Sequence, residues 1–337
     1  MGETVLVTGG TGYVAGWCVA ELLKRGYTVR ATVRSAAKGE HVRAAVSSEV
    51  DPEDRLRFAI ADLTSDNGWA DAMKGVGHVL HVASPMGMDG ADTQSLVVPA
   101  RDGTLRVLRA ATEAGVKRVV MTSAANTASP SSYRDESVSD ETVWTDVNDP
   151  TLQPYRRSKT AAEKAAWDFM AGYDGPMTLA TVLPGAVFGP VLGTGTMGSV
   201  RIIGRLLKGM PGTPRIGFEI VDVRDLADAH IRAMTAPEAA GQRFLATGEF
   251  MWMLDMARAL RDGLGADGAK APTRNLPDIA VRGMSLFDRT LKEIMPALGR
   301  RAVHTTAKAE RVLGWKSRPA AEVVVDCGRS LLSHNLV

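Results

Sequence analysis

The stretch TGGTGYVAGW, residues 8–17, constrains the fold more than any other, because a glycine-rich turn stands directly between a β-branched run and a helical pattern. Gly9 and Gly12 are three apart and Ala15 takes the third small position, so the turn can be tight and its backbone can approach a ligand closely. Thr4 to Val7 before it read as a buried strand, and Tyr13 to Arg25 after it read as a helix with apolar residues three and four apart. A pyrophosphate suits such a turn, since its charge meets the N–H groups and positive dipole end of the following helix. Gly9, Thr11, Gly12, Tyr13 and Val14 are the expected contacts.

The same alternation continues to about residue 185. Further strands are expected at Thr28 to Val33, Leu56 to Ala59, His78 to Val82, Arg118 to Thr122 and Thr178 to Val182, with long helices from about Thr93 to Glu113 and from Pro154 to Met170. This is the signature of an α/β protein, a Rossmann doubly wound parallel sheet. After Pro184 the pattern breaks into GAVFGPVLGTGTMG, and EIVDVRDLADAHIRAM then returns to a strand and an amphipathic helix. The expected organisation is a dinucleotide-binding domain over 1–184 plus about 219–246. A smaller, mostly helical substrate lobe would take about 185–218 plus 247–337. The 337 residues are ample for both.

Composition removes several classes of function. The 40 basic and 38 acidic residues are scattered, without the clustered basic face that a nucleic-acid partner requires. Cys18 and Cys327 stand far apart in no metal-like spacing, so neither a disulfide framework nor a metal site is expected. No apolar run approaches the roughly 20 residues of a membrane span, and the opening MGETVLVTGG leaves no room for an export signal. A cytoplasmic protein is expected.

The second strand bears on which dinucleotide is preferred. A site for NAD usually ends this strand with a carboxylate for the ribose 2′-hydroxyl, whereas VRATVRSAAK puts Arg34 there and Lys38 a turn later. A guanidinium can pair bidentately with a 2′-phosphate, so NADPH/NADP+ is the expected cofactor. Arg30 and Lys38 are equally readable as solvated charges. Asp62 and Leu63, after the third strand, stand where the adenine ring would be bordered, although a turn-capping aspartate reads alike.

In PYRRSKTAAEKAAW, Tyr155 and Lys159 are four apart at a helix start and therefore share a face. An adjacent ammonium favours phenolate and is expected to lower the tyrosine pKa, making the phenol a usable proton donor.

Together, TGGTGYVAGW, RGYTVRATVR, ADL at 61–63, HVASPM at 81–86, VVMTSAA at 119–125, PYRRSK, VLPGAVFGP and VDVRDLADAH make the chain resemble, over nearly its whole length, the extended short-chain dehydrogenase/reductases. Within these it is most similar to the dihydroflavonol reductase and cinnamoyl-CoA reductase group and its microbial carbonyl reductase relatives. The resemblance implies NADPH-dependent reduction of an aldehyde or ketone, with tyrosine protonating the carbonyl oxygen and lysine also holding the nicotinamide ribose. It further implies cofactor contacts from Val82, Ala83 and Ser84 and from Pro184, Gly185 and Val187. The group's fifth strand typically ends Thr-Ser-Ser, but here Thr122 and Ser123 are followed by Ala124. Either Ser123, the nominated substitute, or Thr127 turns inward to replace the missing hydroxyl, or the site works with one donor fewer.

An apolar pocket walled by Pro85, Met86, Phe188, Met197 and Phe218 would suit an uncharged small-molecule carbonyl compound. His78, His81 and His230 read as structural. A nucleotide-sugar epimerase or dehydratase of the same superfamily, or a non-catalytic NADP(H)-binding sensor, are the alternatives; the first would want an acid at Arg34, and the second leaves the Tyr155/Lys159 pair unexplained. A monomer or homodimer is expected.

Overall fold

A computed structural model describes residues 3–85, 93–130, 138–193, 198–286 and 295–337. Met86 and Met197, expected in the pocket wall, lie outside the described residues. The β-branched runs form β1 (Thr4–Val7), β2 (Thr28–Val33), β3 (Leu56–Ile60), β4 (His78–His81), β5 (Arg118–Thr122), the short β6 (Val138–Ser139), β7 (Thr178–Pro184), β8 (Ala186–Phe188), β9 (Gly217–Asp222), β10 (Gln242–Ala246), β11 (Phe250–Trp252) and β12 (Val303–His304). Seven of them make one parallel sheet in the order β10-β7-β5-β4-β1-β2-β3. The chain winds outward from β1 through β2 and β3, then crosses back to β4, so a crevice opens at the carboxyl ends of β1 and β4, where open α/β sheets take ligands.

Helices α1 (Tyr13–Lys24), α2 (Ala36–Ser47), α3 (Trp69–Met73), α4 (Thr93–Glu113), α5 (Pro154–Ala171), α6 (Val200–Lys208) and α7 (Val223–Thr235) follow in chain order, then α8 (Met253–Leu264), α9 (Asp278–Met284), α10 (Ala307–Leu313) and α11 (Ala320–Ser333). Two cores flank the sheet. One packs Trp17, Cys18 and Leu22 of α1 against Leu226 and Ile231 of α7; the other packs Trp69 and Met73 with Val107 and Leu108 of α4 and Ala162 of α5. Both faces of the central strands are thus covered, which is why these strands read as continuous apolar runs instead of alternating ones.

A third core gathers Phe188, Ile203, Leu206, Ile220, Met256, Leu260, Val323 and Leu331 from the segments after β7. The strand β9, expected to return to the first domain, lies outside the large sheet, between β8 and β11 in a three-stranded sheet, while α7 packs on the first core and β10 pairs with β7. Periodicity identifies a strand but not its neighbour. Phe188 is fully buried in this core and is not among the residues lining the cleft, which corrects its expected place in the substrate wall. Near the end of the chain, β12 pairs with β6, aligning His304 with Ser139.

Candidate active site

The crevice is a cleft of ≈ 1340 Å³, running from the carboxyl end of β2 across β1, β4 and β5 to the third core. Its first half is made largely of backbone. Gly9 sits at φ +70°, a left-handed conformation natural to glycine, and a Cβ there would stand 2.9 Å from the Cβ of Ala83. The Gly12 N–H donates to Gly9 O at 2.8 Å, closing the turn, and Gly12 caps α1 without a side chain. The first N–H groups of α1 are thereby left for an anion. His81 fixes the far wall: the Ala83 N–H donates to Thr8 Oγ1 (2.9 Å), which is hydrogen-bonded in turn with His81 Nδ1 (3.0 Å). Burial pushes this histidine down to about 3, so it stays neutral and structural.

Arg34 is exposed at the end of β2 and lines the cleft, with Asp62, Leu63, Val82, Ala83 and Ser84 nearby. Asp62 Oδ1 accepts from Thr64 N (2.8 Å) and Oγ1 (2.7 Å), and these bonds hold its carboxyl below the usual range. Lys38, by contrast, lies exposed in the first turn of α2, outside the cleft lining. Arg30 is a structural group that donates to the carbonyls of Ala72 and Lys74 at 2.7 and 2.8 Å, closing the end of α3. The half-site therefore fits a dinucleotide: a cradle that a Cβ would fill, an open helix start and an exposed guanidinium at the end of β2.

Tyr155 and Lys159 enter the cleft from the first turns of α5, which opens with Pro154 at its N-terminus. Lys159 is buried, and its ammonium donates to the Thr122 carbonyl at 3.2 Å. Desolvation pushes it down to about 8, against the opposing pull of Glu163. Tyr155 remains 44% accessible. Its phenol is nevertheless shifted upward by the loss of surrounding water, the reverse of the expected lowering, because the ammonium bonds a backbone carbonyl rather than the phenol. Tyr155 thus waits as a neutral O–H.

Behind this pair lies a buried ionic cluster. Glu163, one turn after Lys159 and fully buried, accepts from Ser123 Oγ (2.5 Å), Thr127 Oγ1 (2.6 Å), Thr181 Oγ1 (2.9 Å) and Arg243 Nε (2.9 Å). The Arg243 guanidinium also stacks on Trp144, 3.6 Å from the ring centre. Ser123 therefore lines the cleft floor but spends its hydroxyl on the carboxylate, a stronger acceptor than any neutral group, which departs from its expected role as substitute donor. His230 braces β5 from the other side: its Nδ1–H faces the Leu226 carbonyl at 2.7 Å, so Nε2 accepts from Thr122 Oγ1 at 2.6 Å.

The second half of the cleft is built from side chains brought from far apart. Ser129 Oγ and His304 Nε2 are 2.8 Å apart, and His304 Nδ1 and Glu219 Oε2 are 2.5 Å apart. The His304 N–H also donates to Glu219 Oε1 at 2.6 Å. Pro85 and Phe218 line the wall as expected, joined by Asn126, Arg201, Phe250 and Arg300.

This geometry has known counterparts. The model of the NAD dependent epimerase/dehydratase family matches residues 5–246. The chain belongs to that family. Among its relatives, cinnamoyl-CoA reductase 1 of Petunia hybrida is 38% identical over 247 residues, 72% of each chain, and dihydroflavonol 4-reductase of Zea mays is 36% identical over 77% of this chain and 74% of that one. A crystal structure of Gre2 from Candida albicans in complex with NADPH superposes with a TM-score of 0.84 at 28% identity, covering 98% of this chain and 99% of that one. The family match stops at Ala246, and what lies beyond includes much of the third core and His304. Sequence reasoning missed Ser129, Glu219 and His304, because nothing local marks three residues that come from separate segments and meet only in the folded chain. It also missed Glu163 and Arg243; Glu163 stands among other charged and polar residues of α5, so nothing in the sequence sets it apart. Among the described residues no helix is long and apolar enough to cross a membrane, and no cluster of potential metal ligands occurs.

Proposed function

We propose that this protein reduces an aldehyde or ketone to the alcohol with NADPH, Tyr155 giving its phenolic proton to the carbonyl oxygen. The observation that carries the reading is the meeting of Tyr155 and Lys159 with the glycine cradle and Arg34 along one cleft. NADPH, when bound, supplies the hydride. Gly9, Thr11, Gly12, Tyr13 and Val14 hold the pyrophosphate, Arg34 pairs with the 2′-phosphate, and Asp62 and Leu63 border the adenine. Val82, Ala83, Ser84, Pro184, Gly185 and Val187 line the path to the nicotinamide. Lys159, anchored on Thr122 O, holds the ribose and keeps a positive charge near the phenol. A neutral phenol is the form needed here, and donation to an alkoxide, a much stronger base than phenolate, is downhill.

Reductases among the relatives support this reading, as does Arg34 where an epimerase site would prefer an acid. The test is the loss of NADPH absorbance with a panel of aromatic and aliphatic aldehydes and ketones, run with NADH and with Tyr155→Phe in parallel. NADPH-dependent turnover that falls about 10²- to 10⁴-fold in the variant is expected. Undiminished turnover by Tyr155→Phe would remove the tyrosine from the chemistry. NADPH binding without turnover of any substrate would favour the sensor.

A further inference from the structure

Charge that develops on a carbonyl oxygen is best met by two donors, and Tyr155 is only one. The cleft that Tyr155 enters is also lined by residues 122–126 and Ser129, with Thr127 buried behind them, and these side chains differ sharply in what they have left to give. Ala124 offers a methyl group. Ser123 and Thr127 both donate to Glu163, whose carboxylate is clamped by Arg243, so turning either hydroxyl outward would strip a buried ion pair. Ser129 is engaged by His304.

Asn126 is the exception. It lines the cleft with Tyr155, and its carboxamide oxygen is buried without a hydrogen-bond partner. Buried polar atoms are nearly always satisfied, and exceptions concentrate where a ligand completes the site. Its backbone cannot drift: it lies in the 3₁₀ turn Ala125–Ala128, and its carbonyl accepts from Thr145 Oγ1 at 2.7 Å and from Arg156 Nε at 2.8 Å. Arg156 adjoins Tyr155, so one guanidinium ties the floor turn to the start of α5. Because that oxygen is shielded from solvent, the end of the carboxamide left toward the cleft is its NH₂, a donor with no acceptor of its own.

Building on the reductase reading, we propose that Asn126 is a catalytic residue whose carboxamide NH₂ donates to the substrate's carbonyl oxygen beside Tyr155, supplying the hydrogen bond that Ala124 cannot. The amide keeps its protons, and Tyr155 alone transfers one.

The test uses the full-length protein with NADPH and whichever aldehyde or ketone it turns over fastest. Asn126→Ala and the near-isosteric Asn126→Asp are each expected to lower kcat about 10²- to 10³-fold while the Kd for NADPH and the melting temperature stay at wild-type values. Adding Ala124→Ser to Asn126→Ala is expected to recover most of the loss by restoring a hydroxyl donor to the floor. If Asn126→Ala keeps wild-type kcat, or if its loss is not recovered by Ala124→Ser, the inference fails while the reductase reading stands on wild-type turnover. Absence of turnover by the wild-type protein would end both.

Discussion

The two halves of the cleft are made in different ways. The dinucleotide half takes its central turn from residues 9–15, a single contiguous stretch, and works through backbone N–H groups and the space left by absent side chains. The substrate half draws Asn126, Ser129, Glu219, Arg300 and His304 from three separate segments and works through side chains. A site made of backbone is fixed by local φ/ψ preferences and tolerates change elsewhere in the chain. A site made of distant side chains depends on which strands pair, here β12 with β6 and β9 between β8 and β11. A ligand common to many proteins can be served by the first kind. Discrimination among substrates belongs to the second.

Three measurements would break or sharpen this contrast. The largest effect is expected at Arg34, the proposed partner of the 2′-phosphate: Arg34→Asp should lower the preference for NADPH over NADH by about 10²-fold, since a charge-assisted bond of roughly 1.5–3 kcal/mol is lost and a repulsion added. Turnover with NADH should be largely retained; an unchanged cofactor ratio would place the 2′-phosphate elsewhere.

The next effect is with pH. Burial holds the Lys159 ammonium at about 8, well under the ordinary 10.5, so its charge is lost as pH rises through that lower value. The sign follows: kcat/KM should be level below about pH 8 and fall toward tenfold per unit above it. The folded state binds fewer protons than the unfolded chain between these two values, so stability should rise with pH across the same window while activity falls. A profile level to about pH 10 would show that the bound cofactor or Glu163 holds the proton far more firmly.

The smallest effect is expected at the far end of the substrate half. His304→Gln should raise KM about three- to tenfold with kcat little changed, because it loosens Ser129 and Glu219 without touching Tyr155, and one net hydrogen bond contributes about 1 kcal/mol. Kinetics with the best substrate decide it. A fall in kcat at constant KM would join this relay to the chemistry and blur the division between the halves.

How much was legible varies along the chain for physical reasons. The first strand runs over the four residues expected of it, and α4 over Thr93–Glu113, because a parallel core imposes a continuous apolar run and a helix imposes its own period. The strand at Gly217–Asp222 was visible as a strand, but its sheet was not, since pairing is decided by partners that periodicity does not name. Arg34 and Lys38 look equivalent as letters. One lines the cleft and the other faces solvent because Arg34 directly follows β2 whereas Lys38 already lies in the first turn of α2. The pairing of Tyr155 with Lys159 was read from a spacing of four, yet the direction of the tyrosine's shift was not, because it depends on desolvation and on where the ammonium finds its acceptor.

By itself, then, the sequence determined the alternating α/β order, the phosphate turn, and the tyrosine and lysine on one helical face, all of which follow from short-range sterics and periodicity. Only the tertiary structure decided that Ser123 answers to Glu163, that Asn126 is left with a carboxamide unspent, and that His304 reaches Ser129 and Glu219. Those outcomes turn on burial and on contacts between segments as far as 175 residues apart. Burial sets the strength of a polar contact, and long-range packing sets its partner; neither is encoded at any one position.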